Sequence, residues 1–251
     1  MAVAPSLQVL LAQIIDYAGT FPPASLPCQT AIDNYFRYRA GKHAWMLRGL
    51  VVAAADLPKV PKELNGSLAV LSDMDEPRAT TIETRRVFRA RKPVYCEVAI
   101  GELDEVKRAG CYAKLRTGGV QPELIPSVEA VAEFLLACAN RRLAFKATAG
   151  LHHPIRSSQP LTYDPEPPRA IVHGFINVFM AAAFAWHGKR DLVPILSETD
   201  PTTFRFDNQA CWRDWSLSID QLRKARREFA HSFGSCSFEE PIHDLQTLGL
   251  L

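Results

Sequence analysis

Ala144-Phe145-Lys146-Ala147-Thr148-Ala149-Gly150-Leu151-His152-His153-Pro154 sets a lysine at strand spacing among small and apolar residues, then stops at a glycine that opens into two histidines. Side chains alternate faces along a strand, so Lys146 shares a face with Ala144 and Thr148. Upstream of this run, short β-like stretches at 47–54, 67–72, 94–100 and 112–117 alternate with helical segments. That alternation is the signature of βαβ units and a parallel sheet. With 14–17 taken as a short first strand rather than the end of an N-terminal helix, 143–148 becomes the sixth of eight. The closing strands are then expected near 192–196 or 203–206, and at 232–238.

The helical segments carry the apolar stripe of sheet-covering helices. After Pro126-Ser127, Val128, Val131, Ala132, Leu135, Leu136 and Ala139 fall on one face. Residues 31–40 are expected to bury Ile32, Tyr35 and Phe36 and to stop at Gly41 in a left-handed cap. Ser218 with Gln221 forms a capping box for a helix that turns Ile219, Leu222, Ala225 and Phe229 inward. Asp207-Asn208 reads as the turn of a small hairpin excursion. The expected fold is α/β, a single (β/α)8 TIM-type barrel over 1–251 with irregular late strands. An open doubly wound sheet is the alternative, but it calls for a Gly-rich phosphate loop after its first strand, and none is present.

A chain of 251 residues with 47% hydrophobic content is long enough for one buried core of this kind. Its 29 basic and 27 acidic residues balance, so no global field draws it to nucleic acid or an anionic membrane. The arginine-rich runs 85–92 and 223–227 have the spacing of outer helix faces and lack interleaved aromatics, which argues for solvated surface. Six scattered cysteines without a CxxC pair fit a reducing, cytoplasmic compartment. No apolar stretch reaches 18 residues and no signal-peptide pattern appears, so neither a membrane span nor export is expected. A homo-oligomer is compatible with this composition, which does not fix the oligomeric state.

Three long proline-marked stretches, 18–27, 151–169 and 197–203, follow strand ends. In a barrel such loops form the C-terminal face, where active sites sit. The inward polar residues are expected below that face. Lys114 and Arg116 share one face of 112–117, and Glu97 shares a face with Tyr95 and Ala99 on the strand before. Neighbouring strands lie about 4.8 Å apart, so Glu97, Lys114, Arg116 and Lys146 can converge. A salt-bridged layer explains Glu97 with Lys114 or Arg116 equally well. Lys146 adds a chemical reason: desolvation beside two cations depresses a lysine from about 10.4 by as much as several units, and a neutral amine attacks carbonyls.

Phe145-Lys146-Ala147-Thr148-Ala149-Gly150 resembles the Lys-Thr-Ser-Thr-Gly strand of the deoxyribose-phosphate aldolase family. There a lysine on barrel strand six forms a Schiff base with the substrate aldehyde. The resemblance implies a class I aldolase-like lyase that needs no cofactor and acts on a small carbonyl or carboxylate substrate. Lys146 is then the nucleophile, with Lys114 tuning it, Arg116 holding an anionic group, and Glu97 with His152 or His153 moving protons. Asp16 and Thr148 join the substrate-binding set. The family's phosphate grip is echoed by Phe233-Gly234-Ser235-Cys236-Ser237, which adds Gly234 and Ser235. Asp16-Tyr17-Ala18-Gly19 with Phe21-Pro22-Pro23-Ala24, and the stretch from Lys146 to Pro154, look like segments shared among bacterial proteins, a likeness that implies no activity.

Two other readings use the same residues. In a metal-dependent isomerase, epimerase or hydrolase, His152 or His153 with Glu97, Asp16 or His173 are the ligands, although no HxH or HExxH spacing is present. A non-catalytic binder of an acidic small molecule needs only Lys114 and Arg116. Adjacent histidines on a strand point to opposite sides, so one of His152 and His153 is expected to face the site. Cys236 becomes a nucleophile if a histidine such as His231 lies beside it; a Gly-Ser turn offering N–H groups to an anion is the simpler reading. Glu239, Glu240 and Asp244 read as solvated.

Overall fold

Eight parallel strands close into a barrel in the computed structural model, which describes residues 3–251. Helix α1 (Pro5–Leu11) precedes β1 (Ile15–Tyr17), and α2 (Cys28–Ala40) leads to β2 (Leu47–Ala53). Strands β3 (Leu68–Leu71), β4 (Thr81–Thr84) and β5 (Val94–Cys96) follow without intervening α-helices. Helix α3 (Leu103–Arg108) then leads to β6 (Tyr112–Arg116), and α4 (Val128–Arg141) to β7 (Phe145–Thr148). Beyond β7 the chain makes an antiparallel pair, β8 (Ser157–Pro160) with β9 (Arg169–Val172), and helices α5 (Phe175–Trp186) and α6 (Val193–Ser197). A three-stranded antiparallel sheet comes next, β10 (Phe204–Phe206), β11 (Gln209–Trp212) and β12 (Trp215–Ser218), followed by α7 (Ile219–Glu228). Strand β13 (Ala230–Ser235) fits between β7 and β1 to close the barrel, and α8 (Glu239–Thr247) ends the fold.

The barrel is held by apolar packing outside its wall. All twelve residues of α5 are buried, because α4, α6, α7 and β13 pack around it. Phe145 points outward from β7 into this layer, edge-on to Phe229 at 5.1 Å and stacked on Phe179 at 6.3 Å. Phe233 does the same from β13, stacked on Phe175 at 5.2 Å. With these large apolar side chains outward, β7 turns Lys146 and Thr148, and β13 turns Ser232, into the barrel.

Several elements differ from the sequence expectation. Strand β4 escapes notice because Thr81-Ile82-Glu83-Thr84 contains one apolar residue; its pairing with β3 and β5 makes it a strand. Counting it moves Lys146 to the seventh barrel strand and puts Lys114 on the sixth. Residues 192–196 are not a strand: Pro194 sits in the first turn of α6, where its fixed φ favours a helix start. In the 203–206 stretch, residues 204–206 pair with β11 around Asp207-Asn208, outside the barrel. The eighth strand begins at Ala230, and 236–238 lie beyond its end. Gly41 has φ −85°, an extended cap rather than a left-handed one, and Phe36 is 37% exposed while Tyr38 turns inward. The arginine-rich stretch 85–92 is irregular, not helical. No helix among the described residues is long and apolar enough to cross a membrane.

Candidate active site

Strand alternation points Asp16 of β1, Glu83 of β4, Tyr95 of β5, Lys114 of β6, Lys146 of β7 and Ser232 of β13 to the barrel axis, where aliphatic layers normally pack. They form one hydrogen-bonded chain. At the N-terminal end Arg48 donates to Ser232 Oγ at 2.8 Å and to the Tyr95 hydroxyl at 3.3 Å, and Ser232 donates to Asp16 Oδ2 at 2.6 Å. Lys146 Nζ then donates to Asp16 Oδ2 and to Glu83 Oε1, both at 2.5 Å. Glu83 Oε2 receives Lys114 Nζ at 2.9 Å, Lys114 reaches Glu97 Oε2 at 3.4 Å, and Arg116 Nε closes on Glu97 Oε1 at 2.8 Å. Charges withdrawn from water persist only when each has a partner, and here each one does.

This pairing reverses the titration expected for Lys146. Burial disfavours its charge, but Asp16 and Glu83 on either side outweigh burial and hold its pKa above the ordinary lysine value. The neighbouring cations act on Glu83 instead: burial works against its ionised form, yet Lys114 and Lys146 bring its pKa down to about 2. Glu97 is lowered as well, against burial, by Arg116 and Lys114. Lys146 is 1% exposed and sits beneath the mouth of the barrel.

Above the chain, the C-terminal face encloses a cavity of about 360 Å³. Its polar lining includes Lys114, Arg116, Thr148, His152, His153 and Cys236, and Gly234 forms part of the floor beside Thr148. Apolar walls come from Phe21, Pro22 and Pro23 after β1, and from Leu161 and Val172 around the β8–β9 pair. The sharp exit from β7 makes this opening. Gly150 has φ +80°, and a Cβ there would meet Gly118 Cα at 3.0 Å, so only glycine lets the ends of β6 and β7 come together.

Residues 151–156 leave that turn as an irregular loop rather than a continued strand, so both His152 and His153 line the cavity, contrary to strand alternation. Helix α8 holds them. Glu240 and Asp244, one turn apart, accept from His152 Nδ1 and His153 Nδ1, each at 2.6 Å, so both carboxylates, though partly exposed, are engaged at the site. His152 Nε2 faces Cys236 Sγ at 3.7 Å. Burial disfavours the imidazolium of His152, but Cys236 and Glu240 more than compensate and raise its pKa to about 10. The histidine beside Cys236 is thus His152 and not His231, the second residue of β13, whose Nδ1 is 2.8 Å from the Tyr95 hydroxyl toward the opposite end.

Of the expected substrate-binding residues, Arg116, Thr148 and Gly234 line the cavity. Asp16 does not, because Lys146 and Ser232 take it up below. Ser235 is 1% exposed, and its hydroxyl donates to Ser237 O within its own turn. Of the donors named for a metal, Asp16 and Glu97 are engaged by cations and His173 Nε2 pairs with Pro126 O, while His152 and His153 are each held by α8 through Nδ1. Among the described residues no three His, Cys, Asp or Glu side chains are grouped to hold a metal. Sequence reasoning missed Glu83, Glu240 and Tyr163; the i, i+4 acidic pair after the last strand was the available signal for Glu240.

No family model, curated protein or solved structure matches the chain.

Proposed function

We propose that the protein is a lyase of aldolase type that forms an imine between Lys114 and the carbonyl of a small substrate. The observation that carries this reading is that Lys114, and not Lys146, is the amine at the cavity wall, with two carboxylates in reach. Counting β4 splits the two halves of the aldolase resemblance: the string 145–150 with Lys146 lies on strand seven, while strand six, where that family carries its Schiff-base lysine, holds Lys114 in a different sequence context. Lys146 then becomes the buried second lysine that, with Lys114, keeps Glu83 ionised.

In this reading Glu97, 3.4 Å from Lys114 Nζ and bordered by Arg116, accepts a proton from the ammonium. The free amine adds to the carbonyl carbon, a C–N bond forms, and the carbinolamine expels water as the proton returns to its hydroxyl. The resulting iminium draws in the electron pair of an adjacent C–C bond as it breaks, and in the reverse direction the enamine gives that pair back to form the bond. The Arg116 guanidinium, whose Nε and Nη2 bind Glu97, extends along the cavity wall, where it can hold a carboxylate or phosphate of the substrate. His153, oriented by Asp244, is the imidazole available for proton transfer at the mouth.

Reductive trapping tests the proposal. The protein is incubated with pyruvate, glycolaldehyde or dihydroxyacetone in cyanoborohydride and read by intact mass and peptide mapping. A single adduct on Lys114, absent in Lys114→Met, is expected. No adduct across the panel, or adducts confined to exposed lysines, would sink the mechanism.

A further inference from the structure

The imine chemistry leaves one group of reactive side chains unused. Cys236 follows directly on β13, is 5% exposed and lines the cavity. His152 Nε2 lies 3.7 Å from its sulfur, and the other ring nitrogen is held at 2.6 Å by Glu240. The carboxylate fixes the tautomer and the ring plane, leaving Nε2 to exchange a proton with the thiol. Three elements converge here: the end of the last strand, the loop after β7 and the first turn of α8. Tyr163, from the connection between β8 and β9, brings its hydroxyl to 3.8 Å from the same sulfur. Burial and the nearby Cys236 and Glu240 raise the Tyr163 phenol well above its usual value, so it stays a proton donor.

Such a set has the geometry of a nucleophile, a base and a group that orients the base. Cys28 and Cys211 are partly exposed, unlike Cys236, and among the described residues no histidine pairs with either. Cys96, Cys111 and Cys138 are buried, and the bonds that Cys96 and Cys111 make run to backbone carbonyls. The distinction among six cysteines therefore rests on partners and on access to a cavity, not on the residue type.

We infer that Cys236, His152 and Glu240 form an acyl-transfer centre that hydrolyses small, largely apolar carboxylic esters or thioesters bound in the cavity. The sulfur attacks the acyl carbon and a C–S bond forms, while Tyr163 is a donor within reach of the oxygen that becomes negative. The C–O or C–S bond to the leaving group breaks, and His152 delivers the shared proton to the departing alkoxide or thiolate. Water, deprotonated by His152, then adds to the thioester; the acid leaves and the sulfur regains its starting state. No oxidant or further co-reactant is needed. Cys236 and His152 are catalytic residues in this scheme, and Glu240 is a positioning residue.

p-Nitrophenyl acetate is the probe. A stoichiometric burst of nitrophenol is expected, with one acetyl group mapped by mass spectrometry to Cys236 and none in Cys236→Ser. The Cys28→Ala and Cys211→Ala variants should keep the burst. His152→Gln should lower the acylation rate at least ~10-fold, against the ~10²–10⁴ that a positioned general base contributes. Glu240→Gln should lower the maximal acylation rate while leaving the half-saturating ester concentration within ~2-fold, a split that general loosening of the fold would not produce. Circular dichroism confirms that each variant is folded. Acetyl groups on Cys28 or Cys211 in place of Cys236, or a fall of less than ~10-fold in folded His152→Gln, would overturn the inference. Neither result bears on Lys114, whose trapping is read on a different side chain.

Discussion

Glu83→Gln is the perturbation from which the architecture of the barrel interior has most to lose. Glu83 is 2% exposed and joins the two central lysines, with Lys146 Nζ 2.5 Å from one oxygen and Lys114 Nζ 2.9 Å from the other. The glutamine keeps the shape but removes the charge and turns an N–H group toward an ammonium. A fall in the Glu83 pKa from 4.5 to about 2 corresponds to about 3 kcal/mol of preferential interaction with the ionised form. Breaking a buried pair by deleting one partner costs roughly 3–5 kcal/mol, which agrees. At roughly 2–4 °C per kcal/mol for a chain of this length, Tm should fall by roughly 6–20 °C. The pH dependence carries its own sign. Because the folded pKa is depressed, the Glu83 contribution is complete above the unfolded value of 4.5 and is lost as pH falls toward about 2. Urea unfolding followed by far-UV circular dichroism at pH 7, 5 and 3 measures both effects. The variant should be less stable at pH 7, and its stability should change less than that of the wild type between pH 5 and 3. A loss below about 1 kcal/mol at pH 7, or an unchanged slope in that acid window, would refute the bridging role.

Two further outcomes follow from the same interior. Phe145 is fully buried against Phe134, Phe179 and Phe229, so Phe145→Ala should cost about 3–5 kcal/mol in a urea melt; a loss below about 1 kcal/mol would contradict the packing. His231 should titrate near 4 by NMR, since burial first and then Arg48 and Arg226 disfavour its charge; its stabilising contribution is present above 6.5 and lost as pH falls through about 4. A His231 midpoint near 6.5 would contradict that environment.

The barrel was legible in the sequence wherever strands carry apolar residues or sit between patterned helices. Lys114, Arg116 and Lys146 were placed on inward faces by alternation alone, and Glu97 by the same count. What escaped were features that alternation does not encode. Glu83 lies on a strand whose burial comes from ion pairing, so it carries no hydrophobic signal, and missing it shifted the strand number of both lysines. The Cys236–His152–Glu240 grouping joins residues 84 apart in the first pair and 88 apart in the second. Only closure of the barrel by β13 brings α8 under the loop after β7. The charge state of Lys146 was misjudged for the same reason: its cationic neighbours were visible in the sequence, but Asp16 and Glu83 reach it only through the closed barrel.

A crystal structure of the protein after cyanoborohydride reduction, with the carbonyl compound that traps in highest yield, tests the assignment of Lys114 most directly. Continuous density should run from Lys114 Nζ into the cavity toward Arg116, with Lys146 still held between Asp16 and Glu83. Density growing from Lys146 instead, or an unmodified Lys114 in a crystal whose protein carries the adduct elsewhere, would contradict it.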